Sequence, residues 1–234
     1  MGKQNHYTKL TTQRDVDKKR AAEKSVDFME DGMTIGLGSG STVYWMMKKL
    51  KEKMKQGLHI TGVPSSTRTE KWAVEWQIPL TNFHEVQTID VAIDGADEID
   101  AHLNLLKGGG GSLVREKIVI QASKQVVIIG EQSKLVSRLG AAPLPVEVLP
   151  FGWEAVAAHI SELGCIPDLR KKNGEVFVSD NGNYILDCPF HTIHDPKALD
   201  DKIKNIAGVV DTGLFVQAAD TAIIGENNDV QILP

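Results

Sequence analysis

Three short segments carry residue types that could do chemistry. The first, Gly36-Leu37-Gly38-Ser39-Gly40-Ser41-Thr42, joins an apolar run to a helical pattern. Glycines there let the backbone turn tightly and approach an anion, and amide N–H groups at a helix start, helped by hydroxyls, bind phosphate. No lysine precedes the Ser/Thr as in a P-loop, and Ser41 stands where a dinucleotide fingerprint needs its third glycine. A glycine-rich turn with a serine cap is the plain alternative.

The second segment is Asp94-Gly95-Ala96-Asp97-Glu98-Ile99-Asp100. Asp94 stands where an apolar strand ends, the usual place for function in an open α/β sheet. Four carboxylates this close repel, which raises the pKa of some of them. The calcium-loop spacing is absent. Glu98 and Asp100 read as members of a solvated acidic turn.

The third is Lys107-Gly108-Gly109-Gly110-Gly111-Ser112, followed by Leu113-Val114-Arg115-Glu116-Lys117. Four successive glycines are entropically unfavourable and suggest a backbone pressed against a ligand. Glu116 falls in the first turn of the following helix, on the side of Leu113 and Ile120. A carboxylate on a partly apolar face suits a general base. An acid that merely complements a positive helix end fits equally well, and both readings stand.

The elements that must position these segments alternate. Helices are predicted over 16–29, 43–55, 70–76 and 113–122, and strands over 33–37, 58–63, 89–93 and 125–129. In the first helix Val16, Ala21, Ala22, Val26 and Met29 are expected on the buried side. Such alternation implies a parallel sheet covered on both faces. Near Ala141 the pattern changes to strand 145–149, helix 153–163, extended 165–169, a hairpin of 176–179 with 184–188, helix 195–206 and strand 209–215. Asp195-Pro196 marks a helix start, with Asp at N-cap and Pro at N1. This β-α-β-β-α-β order is ferredoxin-like. The expected fold is α/β: a Rossmann-like parallel-sheet domain (1–140 and 209–234) with a small inserted ferredoxin-like α+β domain (141–208). A last strand over 221–224 rejoins the large sheet.

Composition excludes several classes. The chain has 234 residues, 41% hydrophobic and 24% charged, enough for a sizeable core without staples. A formal charge of −5 argues against broad nucleic-acid binding but not against a small anionic substrate. Cys165 and Cys188 form no CxxC pair and imply a reducing compartment. The polar stretch over 1–14 has no apolar leader core, and no apolar run is long enough to span a bilayer. His191 and His194 with Asp195 read as hairpin and cap residues, because a metal set needs a further convergent donor. Trp72 and Trp76 are spaced for packing along one helix face.

Taken in order, Gly-Ser-Gly-Ser-Thr at 38–42, Asp-Gly-Ala-Asp-Glu-Ile at 94–99, Lys-Gly-Gly-Gly at 107–110, Arg-Glu-Lys at 115–117, Pro-Leu-Pro-Val-Glu-Val at 143–148 and Asp180-Asn181-Gly182-Asn183 resemble the type-A ribose-5-phosphate isomerases over nearly the whole chain. The family commonly has threonine where Ser39 stands, and both residues carry a hydroxyl. Gly111 and Pro64 look like tolerated variation. The resemblance implies interconversion of D-ribose 5-phosphate and D-ribulose 5-phosphate through an enediolate, without metal or cofactor. It implies Glu116 as the base, Asp94 beside the hydroxyls and Lys107 stabilising the enediolate. Substrate contacts would come from Ser39, Gly40, Ser41, Thr42, Asp94, Gly95, Ala96, Asp97, Lys107, Gly108, Gly109, Gly110 and Lys134, with Lys18 as a weaker carry-over. It also implies a cytoplasmic homodimer or homotetramer with no nucleic-acid or membrane partner. A non-catalytic sugar-phosphate sensor would keep the phosphate loop and need neither Glu116 nor Lys107. The Lys-Gly-Gly-Gly and Arg-Glu-Lys segments argue against an aminosugar-phosphate isomerase or a CoA-transferase-like protein.

Overall fold

The computed structural model describes residues 12–234, so most of the 1–14 stretch discussed above lies outside the described residues. The chain forms two compact units. The first gathers the described residues up to Gly95 with Ala122–Ser133 and Ala219–Pro234; the second gathers Ala96–Gln121 and Lys134–Ala218. No helix among the described residues is long and apolar enough to cross a membrane.

The first unit is built on a six-stranded sheet. Its order is Asp229–Leu233, Thr221–Glu226, Ser123–Glu131, Ile89–Gly95, Thr34–Leu37, Thr61–Pro64. All neighbours pair in parallel except the Asp229–Leu233 edge strand. Its central strands are apolar on both faces because helices cover a parallel sheet. Ile35, Leu37, Val91, Ile93, Val127 and Ile129 share one core with Met46, Met47 and Leu50 of helix Ser41–Lys55. Ser66 caps helix Thr67–Trp76 by accepting from Thr69 N–H. That helix stacks Trp72 on Trp76 at 6.4 Å, as their spacing predicts, and Tyr44 meets both edge-on. The chain leaves Thr34–Leu37 for one neighbour and returns to pair Ile89–Gly95 on the other side, so a topological switch point lies between these strands. Ligands of open α/β sheets bind at the carboxyl ends of strands at such a point.

The second unit holds the ferredoxin-like part: a four-stranded sheet, ordered Val209–Thr212, Leu144–Val148, Tyr184–Cys188, Asp168–Leu169, with antiparallel neighbours. Helices Trp153–Ser161 and Pro196–Lys204 belong to it, and Asp195 caps the latter as expected. Leu144, Val146 and Val148 alternate into a core with Val156, Ile160, Leu186 and Ile203. A three-stranded sheet of Leu214–Phe215, Leu105–Leu106 and Glu98–Ile99 belongs to the same unit.

That small sheet explains where the units depart from the expected boundaries. Pairing of Leu214–Phe215 with Leu105–Leu106 assigns residues 96–121, 134–140 and 209–218 to the second unit rather than to the large domain. The expected 209–215 strand is two strands broken at Gly213, whose missing Cβ leaves room for Lys107 O; a Cβ there would lie 2.2 Å from that oxygen. The expected hairpin is also different. Tyr184–Cys188 pairs with Leu144–Val148 and Asp168–Leu169, and only a single bridge joins Val178 to Tyr184.

Candidate active site

In the first unit, register places Leu37 beside Ile93, so Gly38 and Asp94 follow side by side at the switch point. Asp94 is buried, and its Oδ1 accepts N–H bonds from Ser39 at 3.0 Å and Gly95 at 2.7 Å. Gly38 is required here, because a Cβ would lie 2.2 Å from Asp94 Oδ1. Thr69 Oγ1 donates to Gly38 O at 2.7 Å and fixes the turn from below.

Gly40, with φ +97°, is the N-cap of helix Ser41–Lys55 and supplies no side-chain cap, so a serine cap is excluded. First-turn amides have no intrahelical acceptor, and the helix start carries partial positive charge. The Ser39 amide is directed to Asp94. Lys18 is half-buried on helix Gln13–Ser25.

In the second unit, Lys107 directly follows Leu105–Leu106, and its N–H donates to Gly213 O at 2.9 Å. The chain then reverses over 108–111, where Gly111 N–H donates to Gly108 O, and helix Leu113–Gln121 begins. This reversal brings Lys107 Nζ within 3.2 Å of Glu116 Oε2, the two side chains being 3 and 6% exposed. The Phe215 ring lies 5.4 Å from Lys107 Nζ and 4.8 Å from Lys117 Nζ, within cation–π range of both. Burial holds Lys117 below the ordinary lysine range, opposed by Asp211, whose Oδ1 is 2.6 Å from Nζ.

Asp97 Oδ2 accepts the Gly109 N–H at 2.8 Å. Glu98 is not solvated as expected. It is buried, and its carboxylate accepts the amides of Gly140 and Ala142. Asp100 is half-buried and closes its own loop by accepting from His102 and Asn104. The acidic run avoids mutual repulsion by turning each carboxylate onto different backbone amides.

Gly111 has a stringent environment of its own. It has φ +85°, and a Cβ would come within 2.4 Å of Phe177. Gly108 has φ +100° and would crowd Leu113 and Pro145. Gly110 has open space around it. Arg170, which no local sequence signal marks, donates from one guanidinium nitrogen to Gly108 O at 2.9 Å and Gly109 O at 3.3 Å, and pairs in a fork with Asp187.

Lys134 is half-buried at the end of the Gln132–Lys134 turn, and Ala96 opens the second unit. Among the described residues, no group of three or more His, Cys, Asp and Glu side chains gathers as a metal set. Cys165 and Cys188 are buried, and their hydrogen bond raises the Cys188 thiol pKa and lowers that of Cys165.

A buried carboxylate beside a buried ammonium can move a carbon-bound proton and neutralise the oxyanion that forms. Residues 61–229 match the family model of ribose 5-phosphate isomerase A, also described as phosphoriboisomerase A. Ribose-5-phosphate isomerase A 1 of Oceanobacillus iheyensis is 54% identical over 92% of this chain and 96% of its own. Ribose-5-phosphate isomerase A of Bacillus mycoides is 48% identical over 92% of this chain and 97% of its own. A D-ribose-5-phosphate isomerase solved in complex with phospho-erythronic acid superposes with a TM-score of 0.92 at 38% identity, covering 95% of this chain and 99% of that one. The ribose 5-phosphate isomerase of Plasmodium falciparum gives 0.90 at 42% identity, covering 93 and 97%.

Proposed function

The chain belongs to the ribose 5-phosphate isomerase A family, and we propose that it interconverts D-ribose 5-phosphate and D-ribulose 5-phosphate through an enediolate with Glu116 as the base. The observation that carries this reading is the buried Lys107–Glu116 pair, 3.2 Å apart. Glu116 removes the C2 proton of the open-chain aldose. The C–H electron pair forms the C1–C2 double bond, and the carbonyl electrons move onto O1. Lys107 stabilises that developing charge. A proton passes from O2 to O1 with the help of Asp94, and Glu116 returns its proton to C1, giving the ketose with no net change in atoms or electrons.

Ser39, Gly40, Ser41 and Thr42 hold the phosphate. Gly95, Ala96, Asp97, Gly108, Gly109 and Gly110 contact the sugar, and Lys134 gives a further cationic contact. A sensor would need neither member of the buried pair, and forming such a pair is unfavourable unless its members are used or well compensated. No metal or cofactor takes part. Two buried thiols support a reducing, cytoplasmic location. A homodimer or homotetramer is supported by family membership.

The test is formation of ribulose 5-phosphate from ribose 5-phosphate in EDTA. Turnover unaffected by chelation is expected. Activity lost in EDTA and restored by a divalent ion, or no activity at all, would overturn the reading.

A further inference from the structure

Four successive glycines give the 108–111 segment far more backbone freedom than a catalytic loop can keep. Something outside the segment must select one conformation. Two side chains grip it from opposite directions: Asp97 Oδ2 accepts the Gly109 N–H at 2.8 Å, and Arg170 donates to the carbonyls of Gly108 and Gly109 at 2.9 and 3.3 Å.

In a trans peptide the N–H points opposite to the C=O, and none of the described peptide bonds is cis. A carbonyl of Gly108 turned toward Arg170 therefore directs the Gly109 N–H away from it, where Asp97 receives it. The carbonyl of Gly109 does the same for the Gly110 N–H. Gly110 has nothing within 4 Å of a notional Cβ and is exposed.

The guanidinium is itself held. Nε and the second terminal nitrogen fork onto the Asp187 carboxylate, and the side chain of Arg170 is 14% exposed. Phe177 lies against it, 5.9 Å from ring centroid to the guanidinium carbon. Phe177 has room only because Gly111 lacks a Cβ. Lysine could not do this, having one point charge where a planar fork must meet both a carboxylate and two carbonyls.

We propose that Arg170 is a positioning residue for the isomerisation: by fixing the 108–109 and 109–110 peptide planes, it presents the Gly110 amide and holds the adjacent Lys107 in register for the oxyanion. This rests on the isomerase reading above. The donors matter most when negative charge develops, so loss of Arg170 acts on turnover and on binding of a charged enediolate mimic more than on binding of the sugar.

The experiment compares the native chain, Arg170→Ala, Arg170→Lys and Glu116→Gln at a temperature where each is folded. kcat and KM for ribose 5-phosphate and the inhibition constant of phospho-erythronic acid are measured for each, and Arg170→Ala is also assayed with millimolar guanidinium added. Removing one direct oxyanion donor costs about 10²–10³ in rate, so an orienting residue should cost about 10–100-fold in kcat. The inhibition constant should rise by a similar factor, KM should change by less than about threefold, and guanidinium should restore part of kcat. Arg170→Lys should resemble Arg170→Ala, which keeps the test open should the alanine variant not fold. A lowered thermal midpoint with kcat and the inhibition constant intact would overturn the proposal, as would loss of kcat with neither weaker inhibition nor rescue. The native chain and Glu116→Gln separate the two levels: no turnover by the native chain removes the isomerase reading and native turnover by Glu116→Gln removes its base, whereas an inactive Glu116→Gln beside an Arg170→Ala with native kcat and inhibition constant removes only the role of Arg170.

Discussion

Replacing Lys107 by Met removes an ammonium 3.2 Å from Glu116 Oε2 and keeps most of the aliphatic stem. The two side chains are 3 and 6% exposed, so water cannot replace the lost partner. Breaking one side of a buried ion pair destabilises by about 3–5 kcal/mol, whereas replacing both partners with neutral groups of similar shape is close to neutral. Lys107→Met and Glu116→Gln should each lose about 3–5 kcal/mol, and the double variant much less than their sum. Methionine also packs well against the Phe215 ring that faces Nζ at 5.4 Å. For a chain of this size each kcal/mol moves the midpoint by about 2–4 °C, so the single variants should melt roughly 6–20 °C lower. Urea and thermal unfolding of all four proteins in one buffer gives the coupling energy. Turnover must behave differently: the double variant regains stability and stays inactive. Effects on stability that add within about 0.5 kcal/mol would refute the coupling, and native turnover in the double variant would refute the chemistry.

Gly111→Ala should destabilise by roughly 2–4 kcal/mol, from a left-handed backbone and the Phe177 ring 2.4 Å from the new Cβ; a denaturation midpoint equal to that of the native chain contradicts this. The pKa of Asp90 is lowered by a hydrogen bond from Lys124 and by the Thr34 amide. A carboxylate with a depressed folded pKa adds stability that is fully present above its unfolded value near ~3.9 and lost as pH falls through the folded value. Unfolding free energy measured from pH 6 downward should therefore fall less steeply below about pH 4 in Asp90→Asn, and identical acid limbs would oppose the assignment.

The central elements were legible because their signals are local. Apolar strands such as Ile89–Gly95 announce a sheet covered on both faces, and Asp195-Pro196 announces a helix start. The glycine and acidic motifs gave the candidate residues, but not which carboxylate does what. Glu98 looks like its neighbours in sequence, and only the fold brings the Gly140 and Ala142 amides onto it. Two-residue strands such as Glu98–Ile99 and Leu105–Leu106 are too short to show a period of two, so the small sheet that redraws the unit boundary was missed. The largely exposed edge strand Asp229–Leu233 alternates polar and apolar residues only from Asp229 to Ile232, too short a run to mark it as part of the sheet. Arg170 stands 61 residues from Gly109 in the chain, with nothing local to distinguish it from a surface arginine.

The central claim is that Glu116 moves the carbon-bound proton. Its most direct test is deuterium incorporation at C1 and C2 during turnover in D2O, followed by NMR for the native chain and for Glu116→Gln, with ribose 5-phosphate affinity and thermal midpoint measured on both. The predicted result is solvent deuterium entering carbon in the native enzyme, and a fall of roughly 10²–10⁴ in both exchange and isomerisation in the variant with substrate affinity nearly unchanged. Exchange at a near-native rate in a folded Glu116→Gln would contradict the account and make Asp94 or Asp97 the next candidate base.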